Sequence, residues 1–281
     1  MPTVEQYELN PAMPVLLRPD GQVQVGWDPR RAVLVRPPTG MSQQALAGLL
    51  RALQSPMAMD DVRAAATRHG WRDPNTVADL VVSLIRSGVA TAGSGRRPHT
   101  PSVRIHGRGP LSDLLASGLR CSGARVQRTS RRHAVMASEA TDLLVLSDVL
   151  VTEPRVVRDL HATGIAHLPV RVRDGTGLVG PLVIPGVTSC LACADLHRSD
   201  RDAAWPVIAA QLRGAVGTAD RATVLATAAL ALNQIDQVIR AVREGDDRAA
   251  PPPTLDTTLE FDVGASSIVA RRWSRHPRCS C

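Results

Sequence analysis

Early in the chain the spacing of apolar residues changes from a strand period to a helix period. Gln22-Val-Gln-Val-Gly-Trp27 alternates polar and apolar positions, as a strand with one buried face does. Val15-Leu-Leu-Arg18 and Ala32-Val-Leu-Val-Arg36 flank it, set off by the turns Pro19-Asp-Gly21 and Asp28-Pro-Arg30. Beyond Ser42 the apolar residues fall on helical stripes. Leu46, Leu49, Leu50 and Leu53 form the first, and residues 59–69 form a second that Gly70 stops. Val77, Leu80, Val81, Leu84 and Ile85 form a third, with Gly88 past its end. The pattern predicts a small α+β domain over 1–91, three strands and then three helices, of winged-helix type.

Residues 92–102, Ala-Gly-Ser-Gly-Arg-Arg-Pro-His-Thr-Pro-Ser, have the composition of a linker. A second domain is predicted over 103–281. Strands are expected at Val103–His106, Ala124–Gln127, Leu143–Leu146 and His167–Val172. Helical stripes lie between them, one carrying Leu111, Leu114, Leu115 and Leu119, another over 154–162. Strands alternating with helices give a Rossmann-like, mostly parallel sheet, so the fold class is α/β. A helical stretch through Leu212, a long helix near 221–243 and a hairpin of 255–263 with 267–273 complete it.

Composition narrows the chemistry. The chain has 281 residues, 44% hydrophobic and only 2% aromatic, so its core is aliphatic. All 33 basic residues are arginine. Lysine-based chemistry and a Walker A loop are therefore excluded. The net charge is +7, yet arginines alternate with acids, as in Arg198-Ser-Asp-Arg-Asp202. That reads as a solvated face and not as a nucleic-acid stripe. The N-terminal residues lack the pattern of a signal peptide. The run 222–241 includes Asn233, Gln234, Asp236 and Arg240, which points to a core helix and not a membrane span. Five cysteines without an export signal point to a reducing cytoplasm, where paired cysteines read as metal ligands before disulfides.

Cys190-x-x-Cys193 and Cys279-x-Cys281 are two short-spaced thiol pairs far apart in sequence. Together they can complete one tetrahedral thiolate site for Zn2+. Four thiolates leave no open position, so the zinc would be structural and would tie the C-terminus to the middle of the chain. His276 is an alternative ligand, and Cys121 is expected in the core. Gly107-x-Gly109 follows a strand and opens a helix, the context of a mononucleotide-binding turn. The third glycine of that fingerprint is replaced by Ser112, and Gln127-Arg-Thr-Ser-Arg131 supplies no acid for a ribose. The polar segment Leu196–Trp205 is expected as an exposed or partner-facing helix. No nucleophile-elbow or zinc-protease motif occurs, and no catalytic residue is assigned.

These residues together resemble the ThiF-like superfamily, the ubiquitin-activating-type adenylyltransferases. The segment 179–206 and the ending His276-Pro-Arg-Cys-Ser-Cys281 look like the ThiF-like proteins of azole-peptide biosynthesis, the cyclodehydratase or leader-peptide-binding group. The N-terminal domain is similar to a PqqD-like recognition element. That resemblance implies a peptide adding as a strand near 32–36 and packing on the helix near 76–87. It also implies a dimer. Active members use an acid after the second strand together with an arginine and a lysine at the phosphates. Here no lysine exists, and Asp148 stands as the remnant of the metal-binding aspartate. The reading is a zinc-stabilised pseudoenzyme with a vestigial nucleotide site at Gly107, Gly109 and Asp148. It holds no ATP and presents a peptide or protein client to a separate modifying enzyme. The alternatives are a divergent ATP-dependent adenylyltransferase and a nucleic-acid-binding regulator.

Overall fold

The structure, a computed structural model, describes residues 5–71, 73–94, 100–130, 141–244 and 251–281. The chain forms two compact units, Met1–Pro98 and His99–Cys281.

The first unit contains β1 (Glu5–Leu9), β2 (Val15–Leu17), β3 (Val23–Val25), β4 (Val33–Val35), α1 (Gln43–Ala52), β5 (Met57–Ala58), α2 (Met59–Arg68), α3 (Pro74–Arg86) and β6 (Ala90–Ser94). Strands β2, β3 and β4 form an antiparallel sheet in that order, with Val15 opposite Val25 and Val23 opposite Val35. Ser42 caps α1 by accepting from the Ala45 amide at 3.1 Å. Asp73 caps α3 from just before Pro74, accepting from the Asn75 amide at 3.0 Å. Leu46, Leu49, Leu50, Val62, Ala66, Val77, Val81 and Leu84 are buried in one core, as the helical stripes require.

A second small sheet, ordered β5-β1-β6, departs from the sequence expectation. Ala90–Ser94 pairs antiparallel with Glu5–Leu9, so residues 92–94, expected in a linker, belong to a strand. Ala-Thr-Ala-Gly-Ser carries almost no strand propensity, and the pairing with β1 supplies what the side chains do not. Residues 95–99 of the expected linker lie outside the described residues.

The second unit continues with β7 (Ser102–His106), α4 (Pro110–Gly118), β8 (Arg125–Thr129), β9 (Leu143–Ser147), α5 (Pro154–Thr163), β10 (His167–Arg173), β11 (Thr176–Val179), α6 (Leu191–Arg201), α7 (Trp205–Leu212), α8 (Arg221–Glu244), β12 (Thr257–Asp262) and β13 (Ser267–Arg272). They make one sheet ordered β13-β12-β11-β10-β9-β7-β8. Strands β8, β7, β9 and β10 are mutually parallel, and β11, β12 and β13 extend the sheet antiparallel.

Every residue of β9 is buried, which explains its unbroken apolar run. Leu143 and Val145 pack with α4 and α8 on one face. Leu144 and Leu146 pack with Val156 and Leu160 of α5, and with Cys190, Leu191 and Cys193, on the other. Helix α8 is long and apolar enough by composition to cross a membrane. In this fold it lies on the sheet, with Ala228, Ala231, Ile235 and Ile239 in the core and Gln234 accepting from the Thr254 hydroxyl at 3.1 Å.

Candidate functional site

The chain leaves β7 toward β8 on one side and returns to β9 on the other. This strand order creates a switch point at the carboxyl ends of β7 and β9, the usual position of a ligand crevice in such sheets. Gly107, Gly109 and Asp148 meet there. A Cβ on Gly107 would lie 2.2 Å from the Ser147 carbonyl, and one on Gly109 would lie 2.6 Å from Asp148 Oδ1. Both glycines are thus required by the turn's close approach to the end of β9, whether or not a ligand binds.

Asp148 is 2% exposed and has a left-handed backbone (φ 71°), which aspartate tolerates better than most residues. Its carboxylate lies at the N-terminus of α4. Oδ1 accepts from the Leu111 amide at 2.9 Å, and Oδ2 accepts from the Ser112 amide at 3.0 Å and from the Ser112 hydroxyl. Free amides at a helix N-terminus are the groups that bind phosphate in nucleotide-binding folds. Here an internal carboxylate already uses them, and Pro110 at the first turn removes one further donor. Ser112, at the place of the missing third glycine, completes the plug and also bonds Ser147 Oγ at 2.8 Å. Sequence reasoning placed Asp148 near this turn but gave no hint that it caps α4. That contact joins positions 36 and 37 residues apart.

The four paired cysteines converge on the opposite face of β9. Their sulfurs all lie within 4.8 Å of one another. Cys190–Cys193 is 3.7 Å, Cys190–Cys279 is 3.6 Å and Cys193–Cys281 is 3.4 Å. Disulfides would need about 2.05 Å. Sulfurs around a tetrahedral zinc at about 2.3 Å stand about 3.8 Å apart, so this spacing and donor set fit that ion. Cys190 opens α6 and its sulfur accepts from the Cys193 amide at 3.4 Å, an N–H contact that stabilises thiolate charge. Burial pushes the Cys190 thiol up, and likewise raises Cys281 to about 11. Burial also opposes ionisation of Cys193, but backbone hydrogen bonds at Cys190 and His276 and the neighbouring thiols outweigh it, lowering that group to about 7. The Cys121 side chain lies outside the described residues.

The polar segment expected as an exposed or partner-facing helix is exposed over 200–204 and also receives the C-terminal tail. His276 is 5% exposed, and its Nε2 meets Asp200 Oδ2 at 2.7 Å. The Arg278 amide donates to His276 Nδ1 at 3.1 Å, which makes Nε2 the protonated nitrogen of the neutral ring. The Arg278 guanidinium also meets Asp200. The His276 hydrogen bond, with the charge of Arg278 behind it, holds the Asp200 carboxyl below the usual range. His197 Nε2 pairs with the Ser274 carbonyl at 3.1 Å. His276 therefore positions the segment before Cys279 and is not a fifth donor to the thiol set.

In the first unit β4 ends its sheet, so its outer backbone edge has no strand partner among the described residues. Leu34 on this strand is 48% exposed, and Trp27 at the preceding turn is 77% exposed. An unpaired edge beside exposed apolar side chains is the geometry that strand addition uses.

Solved structures with a similar fold are known. A heterocyclase in complex with substrate and cofactor aligns over 98% of this chain, with a TM-score of 0.67 at 14% identity. The heterocyclase TruD aligns over 99%, with a TM-score of 0.63 at 16% identity. MccB from E. coli, solved with ATP, aligns over 98% of this chain and 99% of its own, with a TM-score of 0.57 at 13% identity. At these identities the likeness is one of fold, which the chain shares with the heterocyclases and with MccB. The chain spans only 39% and 42% of the two heterocyclases' length. No family model matches the sequence, and no curated protein matches it either. The fold thus carries a capped helix N-terminus at its switch point and a four-thiol cluster on its other face.

Proposed function

We propose that this chain is a zinc-stabilised, non-adenylating ThiF-like protein that binds a peptide or protein client and presents it to a separate modifying enzyme. The observation that carries the reading is the Asp148 carboxylate, hydrogen-bonded to both free amides of the α4 N-terminus. A nucleotide phosphate entering there would have to displace a buried, thrice-bonded anion of its own sign. The absence of lysine anywhere in the chain supports the same conclusion. Zinc is the reading for the four thiols, and its part is to hold the tail on α6 and not to take part in chemistry. Thiolate ligands of this kind suit a cytoplasmic setting. Client binding is assigned to the β4 edge, through main-chain hydrogen bonds with apolar side chains beside them. A homodimer is part of the proposal by resemblance.

The rival reading, a divergent adenylyltransferase, is favoured by the near full-length alignment with MccB. Calorimetric titration of the full chain with ATP–Mg separates the two, together with pyrophosphate exchange in the presence of a peptide. The proposal expects no saturable heat and no exchange. Micromolar binding or measurable exchange overturns it.

A further inference from the structure

The second unit also encloses a cavity of about 500 Å³, a volume suited to a small ligand. It lies between the α6–α7 layer and the face of the sheet formed by β10 to β13. Its apolar wall includes Leu178, Leu191, Ile208 and Leu212. Its polar lining sets five guanidiniums, those of Arg171, Arg173, Arg198, Arg201 and Arg271, against four carboxylates.

Two carboxylates serve three of these. Glu260 pairs with Arg271 at 2.9 Å and with Arg173 at 3.8 Å. Asp195 takes Arg198 at 2.9 Å and the Trp205 ring N–H at 3.2 Å. Arg198 is further held between two indoles, 5.2 Å from the Trp205 centroid and 4.9 Å from that of Trp273. Arg171 is half-buried in the middle of β10; its side chain makes no hydrogen bond or salt bridge among the described residues, yet it lines the cavity. Burial lowers its pKa to about 10; the charges of Arg198 and Arg173 add to that effect, and the Asp195 carboxylate opposes it in part. A half-buried arginine crowded by its own kind gains from an anion beside it. Of the carboxylates that line the cavity, Asp174, Asp195 and Glu260 are engaged with the neighbouring guanidiniums, and Asp202 accepts from the Ala204 amide.

We propose that this cavity is a binding site for a small molecule carrying an oxyanion, a carboxylate or a phosphate, on an apolar body. The anion would sit on Arg171 and the apolar part against Leu178, Ile208 and Leu212. The site is separate from both the α4 turn and the thiol cluster, and it does not depend on the reading given for either.

The test uses the full chain and tryptophan fluorescence, since Trp205 and Trp273 line the cavity. Three probes are titrated: inorganic phosphate, N-acetyl-leucinate, and the uncharged N-acetyl-leucinamide. Saturable binding of at least one anion is expected, with no response to the amide. Which anion binds identifies the source of the oxyanion. Affinity should fall at least tenfold in Arg171→Met. Should that variant not fold, Arg271→Gln, on another wall, is expected to weaken binding in the same direction. The proposal is overturned by no saturable response to either anion, by equal response to acid and amide, or by unchanged affinity in a folded variant.

Discussion

Replacing Asp148 tests the plug at the α4 N-terminus directly. Asp148→Asn keeps the size of the side chain and its tolerance of the left-handed backbone at φ 71°. It removes the charge, and it turns one acceptor into an NH2 facing a site that supplies donors only. The native carboxylate takes three hydrogen bonds, from the Leu111 amide, the Ser112 amide and the Ser112 hydroxyl. Bonds to a charged acceptor contribute about 1.5–3 kcal/mol each, and loss of an N-cap costs ~1 kcal/mol. These terms overlap, and Asn can keep one bond, so the expected loss is about 3 kcal/mol. For a unit of this size that lowers Tm by roughly 6–12 °C. Calorimetric melting of the two proteins measures it. Asp148→Gly adds a sharper readout. It accepts the backbone conformation and empties the carboxylate's place, so millimolar sulfate or phosphate should recover several degrees that they do not give to the native protein. A Tm loss below about 2 °C in Asp148→Asn, with no anion recovery in Asp148→Gly, would refute the claim that Asp148 occupies the phosphate position.

Metal analysis should give one zinc per chain, and Cys279→Ser with Cys281→Ser should abolish it and release residues 274–281 to proteolysis; an intact tail in the metal-free double variant contradicts the docking role. His167 has no exposed surface, and burial lowers its pKa to about 4, with nearby His161 adding to the shift. Because the folded-state pKa lies below the unfolded value of about 6.5, its stabilising contribution is complete above that pH and is lost as pH falls toward 4, by about 3 kcal/mol. Urea midpoints at pH 7 and pH 5 should therefore converge in His167→Leu relative to the native protein, and an identical pH dependence would show that the histidine does not matter. At the edge of the first unit, Leu34→Asp should weaken binding of a client peptide at least tenfold while leaving the fold intact by circular dichroism; unchanged binding would move the client site elsewhere.

Local pattern accounts for much of the fold. A period-two run located β3, the short apolar runs set off by turns located β2 and β4, and the apolar stripes located α1 and α3. The apolar run 143–146 announced a strand buried on both faces. The spacing of the four cysteines carried the thiol cluster, since close pairs already satisfy half of a tetrahedron. Other features depended on contacts between distant positions. Strand β6 exists because β1 pairs with it, and β11 because β10 and β12 flank it, although neither has a strong pattern of its own. The polar residues of 196–205 read equally well as a solvated face, and only the folded chain turns Asp200 toward His276 and Arg278. The arginine-lined cavity assembles side chains from seven elements that no local window contains. The sequence by itself determined which residues could carry chemistry: glycines for a close turn, thiols for a metal, and no lysine for phosphates. Tertiary structure alone decided that the turn is closed by Asp148, because a hydrogen bond across 37 positions leaves no trace in local periodicity.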